Sequence, residues 1–222
     1  MTDRRRIVEL SHLIRHGMQT YPGLPGPEIS DHLSRCASRA KYPPGTEFQI
    51  GRITLVANTG TYLDTPFHRY PDGPDLSMLD LARLADVCGV LIDATDAPAG
   101  LGPELFAGRQ LTDRAVLIWT GWDQHWGSSR YEAAEHPFLT AAAVALLVDQ
   151  RPALVGIDSV NIDDMADLGR PAHTELLAAQ IPIVEHLCGL QQLPAEGFRF
   201  HAAPAPVVGM GSFPVRAYAV LD

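Results

Sequence analysis

Aliphatic residues in this chain fall into short unbroken runs, separated by stretches rich in Pro and Gly. Residues 89–94 (GVLIDA), 115–120 (AVLIWT) and 154–157 (LVGI) are compact runs of this kind. Such runs suit strands buried on both faces. Residues 48–57 (FQIGRITLVA) alternate well enough for a half-buried strand that runs into a turn at 58–60. Residues 6–13 read as a first strand, 181–185 as a later one and 217–221 as the last. The Ala- and Leu-rich stretch 140–149 predicts a helix with Thr140 as its N-cap, and 173–179 predicts a short helix behind Pro171. A further short helix is expected between 76–81 and 84–87. Residues 14–30 carry Tyr21-Pro22-Gly23 and Pro25-Gly26-Pro27, which exclude regular structure and predict a loop. Strands alternate with helices, so the class is α/β or α+β. The chain is expected to be one domain, 1–222, with a mixed sheet core and flanking helices. Strand order does not follow from the pattern.

Composition narrows the function classes. The formal net charge is -9, which repels nucleic acid, and Arg4-Arg5-Arg6 is too short a run to reverse that. No apolar run approaches the roughly 18–20 residues needed to cross a bilayer, so no membrane partner is expected. Glu9 interrupts the apolar stretch near the start, so a signal peptide is not expected either. Cys36, Cys88 and Cys188 are odd in number, far apart and outside any CxxC pair, which fits reduced thiols and a cytoplasmic setting.

The densest polar cluster is Asn58-Thr59-Gly60-Thr61-Tyr62-Leu63-Asp64-Thr65-Pro66-Phe67-His68. It follows a predicted strand, so a rigid element holds its polar groups. Gly60 permits a positive φ or a close backbone approach. A turn at Pro66 brings Asp64 and His68 together. On its own the cluster is also compatible with a turn-forming Asp64 and a surface His68.

The cluster resembles the signature His-x-Gly-Thr-His-x-Asp-x-Pro-x-His of the metal-dependent cyclase/kynurenine formamidase family. Gly60-Thr61, Asp64, Pro66 and His68 match it; Asn58 and Tyr62 stand where the first two histidines belong. The resemblance continues through Glu9-Leu10-Ser11-His12 with Tyr21-Pro22-Gly23, through 116–122 with Trp126-Gly127, and through Gly156-Ile157-Asp158-Ser159. It ends with His173, Leu176-Leu177, Ile181, Glu185 and Leu193-Pro194. It implies the swivelling β/β/α-like fold of that family.

In such proteins the two signature histidines and the aspartate bind a divalent metal, zinc or manganese. A later His and Glu, matching His173 and Glu185, complete the site, and a second metal can share the aspartate. Here Asn58 offers only a neutral amide oxygen, and Tyr62 must lose a proton from a phenol of pKa about 10 before it ligates well. The resemblance therefore implies one divalent ion held by Asp64, His173 and Glu185. His68 would transfer protons, and Tyr62 would be a second catalytic group, donating to Asp64 or acting as an acid on substrate. Asn58, Trp122 and His12 are the candidate substrate contacts. The implied reaction is hydrolysis of a small amide, lactam or lactone such as an aryl formamide, by a homodimer or homotetramer. Two rival readings stand beside it: a metal-independent cyclase or lyase using Tyr62 and His68 on an aromatic or polyketide-like substrate, and a non-catalytic small-ligand binding relative. His125, His136, His186 and His201 lack partners at ligand spacing and read as surface or structural. No Gly-x-Ser-x-Gly elbow supports a serine hydrolase.

Overall fold

The aliphatic runs divide their side chains between two cores. In the computed structural model, which describes residues 5–221, Val90, Ile92, Val116, Ile118, Val155, Ile157 and Ile183 bury one face of a sheet. Leu91, Leu117, Leu154 and Val184 bury the other, with Leu10, Phe198 and Phe200. The period of two within each run is what places neighbours on opposite faces. Burying a large aliphatic side chain contributes about 1.5–3 kcal/mol, so these residues fix the register of the sheet.

The strands are β1 (Arg6–Glu9), β2 (Glu28–Leu33), β3 (Ile50–Thr54), β4 (Tyr62–Asp64), β5 (Val87–Asp93), β6 (Gly100–Leu101), β7 (Ala115–Trp119), β8 (Phe138–Leu139), β9 (Leu154–Ile157), β10 (Ile183–Glu185), β11 (Phe198–His201), β12 (Ser212–Pro214) and β13 (Tyr218–Leu221). Nine of them form one mixed sheet in the order β1-β13-β11-β5-β7-β9-β10-β4-β12. The centre, β5-β7-β9-β10, is parallel. Antiparallel strands flank it on both sides. Helix α1 (Arg35–Ser38) is a single turn. Helix α2 (Ala141–Gln150) begins at Thr140, whose side chain accepts from the Ala143 N–H as expected of an N-cap. Helix α3 (Pro171–Ala178) begins on Pro171 and supplies Leu176 and Leu177 to the core beneath it.

Several elements depart from the sequence reading. The first strand ends at Glu9, and Ser11 forms an isolated bridge to Leu187, outside the named strands. The expected loop over 14–30 runs into β2, which pairs with β3 as a separate hairpin. Both its strands are largely exposed, including Ile29, Ile50 and Ile53 at 43%, 51% and 51%. In a strand reading EISDHL, Asp31 interrupts the alternation between Ile29 and Leu33, so the pattern does not betray it. The expected helix near 81 is one 3-10 turn, Leu81–Arg83. Strands β4, β11 and β12 were not legible as strands, being three or four residues long and made by their partners rather than by pattern.

Candidate active site

Three short strands assemble the site by register. β4 lies between β10 and β12, with Tyr62 opposite Glu185 and Ser212 opposite Asp64. Tyr62 and Asp64 are two residues apart and so share a face. Gly60, with φ 68, turns the chain into β4 and donates its N–H to Thr20 Oγ at 2.8 Å. After β4, Thr65 caps the 3-10 turn Pro66–His68, which folds His68 back so that its Nδ1 lies 3.7 Å from Asp64 Oδ1. Gly211 lets β12 pass against this turn: a Cβ there would sit 2.4 Å from the His68 nitrogen.

His173 enters from α3. The Asp163 carboxylate accepts from the backbone N–H groups of Ala172 and His173, satisfying the start of the helix, and lies 2.6 Å from His173 Nδ1. That contact orients the ring. It leaves Nε2 3.7 Å from Asp64 Oδ2 and 3.9 Å from Glu185 Oε2. These gaps are too long for hydrogen bonds. They suit two donors on one ion: with bonds of about 2.0–2.2 Å, tetrahedral ligand atoms stand roughly 3.3–3.6 Å apart. Asp64 Oδ2 is fully buried and has no hydrogen-bond partner among the described residues, a costly state for a carboxylate unless a cation faces it. One ligand atom each from Asp64, His68 and His173 lies within 4.8 Å of the others. The donor set of two imidazoles and a carboxylate therefore fits a divalent ion with open positions.

Glu185 stands outside this cluster, and each of its oxygens already accepts a hydrogen bond. Oε2 accepts from the Tyr62 hydroxyl at 2.6 Å and Oε1 from the Ile162 N–H at 2.7 Å. So the expected set of Asp64, His173 and Glu185 converges on His173 Nε2, but His68 is better placed than Glu185 as the third donor. Tyr62 donates to Glu185 and not to Asp64. Asp64 Oδ1 instead accepts from Ser212 Oγ, which also lies 2.8 Å from His68 Nδ1. Ser212 escaped the sequence reading; its only signal is its place after Gly211, and only the β4–β12 register gives that meaning.

Electrostatics follow from burial and these contacts. Burial opposes charge on His173, but Glu185, Asp163 and Asp64 outweigh it and hold the pKa well above that of an ordinary histidine. Burial raises Asp64, yet His173, His68 and Ser212 more than compensate and keep it below the usual carboxylate range. Burial raises Glu185, helped by Asp64 and opposed by His173, Tyr62 and Ile162. Burial, then the charges of Glu185 and Asp64, push the Tyr62 phenol well above 10, the Asn58 amide acting the other way. Tyr62 is thus held as a neutral donor. The carboxylates around His173 call for positive charge at Nε2, supplied by a proton or by a metal ion.

A cavity of about 380 Å³ opens over these groups, within the range of small-molecule sites. Asn58, Tyr62, His68, His173 and Glu185 line it, as do Tyr21, Leu24, Arg69, Asn161, Leu168, Gly169 and Arg170, none of which was a candidate site residue in the sequence. Trp122 and His12 are not in its wall. Trp122 is buried against Tyr131 and Val160, with its indole N–H on the Tyr131 carbonyl at 3.0 Å. His12 stacks on Trp126 with ring centroids 3.8 Å apart. His186, read as a surface or structural residue, is fully buried: Nδ1 lies 2.9 Å from the Tyr131 hydroxyl, and the ring packs beside Tyr62.

Residues 8–164 match the family model described as a putative cyclase. The chain belongs to this family. Among curated relatives, the kynurenine formamidase of Polaromonas naphthalenivorans (strain CJ2) is 25% identical over 214 residues, covering 96% of this chain and 89% of the relative. Isatin hydrolase A from Labrenzia aggregata, solved with benzyl benzoate, shares the fold with a TM-score of 0.83 at 23% identity, covering 98% of this chain and 94% of that one. A structure described as a predicted metal-dependent hydrolase from Bacillus stearothermophilus aligns with a TM-score of 0.76 at 25% identity, over 97% of this chain and 98% of the other.

Proposed function

We propose that this cyclase-family chain is a hydrolase of a small amide, lactam or lactone, such as an aryl formamide, working with one divalent ion held by Asp64, His68 and His173. The single observation that carries the reading is the buried, unpartnered Asp64 Oδ2 that lies 3.7 Å from Nε2 of His173, a residue of the wall of a small-molecule cavity. Relatives named for amide hydrolysis support the reaction class, and the Bacillus neighbour supports a metal. When bound, such an ion polarises a carbonyl and brings the pKa of a bound water near 7; zinc and manganese both suit the donors. The chain's own groups bind and orient. Asn161 lines the cavity, and its Oδ1 accepts the Asp163 N–H at 2.9 Å. Tyr21, Leu24 and Leu168 supply apolar wall. Ser212 and Asp163 fix the rings of His68 and His173.

A metal-independent reaction using Tyr62 as acid fits less well, because that hydroxyl is committed to Glu185 and its pKa is raised. We place the enzyme in the cytoplasm as a homo-oligomer. The free Cys36 and Cys88 thiols fit a reducing setting, and the exposed apolar residues of the β2–β3 hairpin fit a second copy of the chain. No helix among the described residues is long and apolar enough to cross a membrane.

The test is metal analysis of protein prepared without chelator, with turnover of an aryl formamide. Near-stoichiometric zinc or manganese is expected, and Asp64→Ala should lose both the ion and turnover. Protein that stays metal-free after incubation with both ions, or that turns over unchanged under chelation, would refute the reading.

A further inference from the structure

The cavity carries two positive groups that the hydrolytic reading does not use. The chain is acidic, at -9 overall, yet Arg69 and Arg170 both line the cavity. Among the described residues neither forms an ion pair with a carboxylate, while Arg39, Arg114, Arg199 and Arg216 each do. Arg69 follows His68 directly, at the end of the Pro66–His68 turn. Arg170 stands one turn before His173, as the residue that caps α3. Each guanidinium is therefore carried by the element that carries a site histidine.

Arg170 is also held in place. Its backbone is left-handed, with φ 49, a conformation an arginine adopts only under constraint. Its N–H bonds the Asp167 carbonyl at 3.2 Å, its Nη1 donates to the Asp164 carbonyl at 3.2 Å, and Pro171 follows. One bond to a carbonyl leaves most of its five donors free. Arg69 lies over the Tyr70 ring at 5.4 Å, a contact that steadies the guanidinium while leaving its edge open.

We propose that Arg69 and Arg170 are specificity residues that bind a carboxylate on the substrate, so that the enzyme selects small amides bearing an acid group over neutral ones. This rests on the hydrolase reading given above. A planar guanidinium matches a carboxylate with paired hydrogen bonds. A dianion such as a phosphate monoester fits less well, because the Glu185 carboxylate lines the same cavity. The apolar wall of Tyr21, Leu24 and Leu168 leaves the rest of the ligand as a small, flat hydrocarbon or aromatic body.

The experiment compares turnover of 2-formamidobenzoate and formanilide, the same amide with and without a carboxylate, by metal-loaded protein and by its Arg69→Met and Arg170→Met variants. The carboxylated amide is expected to be preferred at least tenfold in kcat/KM, and each substitution to reduce that preference about tenfold, through KM. Absence of a preference overturns the proposal. So do equal losses on both amides, which would mean that the arginines only offset the charge of Asp64 and Glu185. If neither amide is turned over, the hydrolase reading fails separately, and the proposal is read from calorimetric binding of 2-aminobenzoate against aniline. Tighter binding of the acid that weakens in both variants upholds it; equal binding of the two probes overturns it.

Discussion

The Tyr62–Glu185 contact is the feature of this site most open to measurement. Tyr62 is 3% exposed and Glu185 is 1% exposed, and their bond is 2.6 Å long. Tyr62→Phe removes the hydroxyl and leaves Oε2 of a buried carboxylate without that donor. Hydrogen bonds to charged groups contribute about 1.5–3 kcal/mol, and a buried acceptor left unsatisfied costs a similar amount. A loss of about 2–3 kcal/mol is expected, or a fall in Tm of roughly 4–12 °C for a chain of this size. The assay is denaturant unfolding of the starting protein, Tyr62→Phe, Glu185→Leu and the double variant at pH 8. Both variants carrying Glu185→Leu strand the Ile162 N–H, so that penalty cancels in the cycle and the coupling reports the Tyr62–Glu185 bond. A coupling of about 1.5–3 kcal/mol is expected. A value under about 0.5 kcal/mol would refute the claim that Tyr62 occupies Glu185. Tyr62→Phe should still bind its ion, since Asp64, His68 and His173 remain.

Acid should destabilise the fold through His12 and His186, which burial lowers to about 4 and about 3, His12 adding repulsion at His186. Their folded pKa values lie below the unfolded value near 6.5, so the folded state binds fewer protons and the stability is complete above pH 6.5 and lost as pH falls. Between pH 7.5 and 5.5 each should contribute a loss of about 1.4 kcal/mol, and His12→Gln should remove its share of that slope in denaturant unfolding. Gly211→Ala places a Cβ 2.4 Å from the His68 nitrogen; a stability loss of about 1–3 kcal/mol should come with a larger fall in turnover, and unchanged kinetics would argue against the close approach. Ile53→Asp on the exposed hairpin should convert a homo-oligomer to monomers by light scattering, while an unchanged mass would remove the hairpin from the interface.

What was legible in the sequence had a local cause. Residues 154–157 read directly as β9, and Thr140 as a helix cap, because aliphatic runs and capping chemistry are properties of neighbours in the chain. Asp64 and His68 were placed together by the turn that Pro66 imposes. Asp64, His173 and Glu185 were drawn together only through the resemblance. Ser212, Asp163, Arg69 and Arg170 were not found as site residues, since each owes its position to a contact across the fold: β12 on β4, the start of α3, or the cavity wall. Trp122 was drawn toward the substrate by its aromatic character and His12 by its place at the end of the first strand. Burial with Tyr131 and stacking on Trp126 satisfy those rings away from the cavity, and nothing in the spacing distinguishes the two outcomes.

The exchange of two signature histidines bears on how many ions the site can take. A second ion sharing the aspartate would need Asp64 Oδ1, which Ser212 holds, and further donors from positions 58 and 62, which here are an amide and a neutral phenol. Each Glu185 oxygen already accepts one hydrogen bond, from Tyr62 or from Ile162, which leaves it a single lone pair. Free donor atoms therefore remain on one side of the pocket: Asp64 Oδ2, His173 Nε2 and the His68 ring. One ion neutralises the unpaired oxygen, whereas a second would bring two positive charges against the same carboxylates with few donors to hold it. Titration of metal-free protein with zinc or manganese should saturate at one equivalent, and a second site of comparable affinity would refute the one-ion reading.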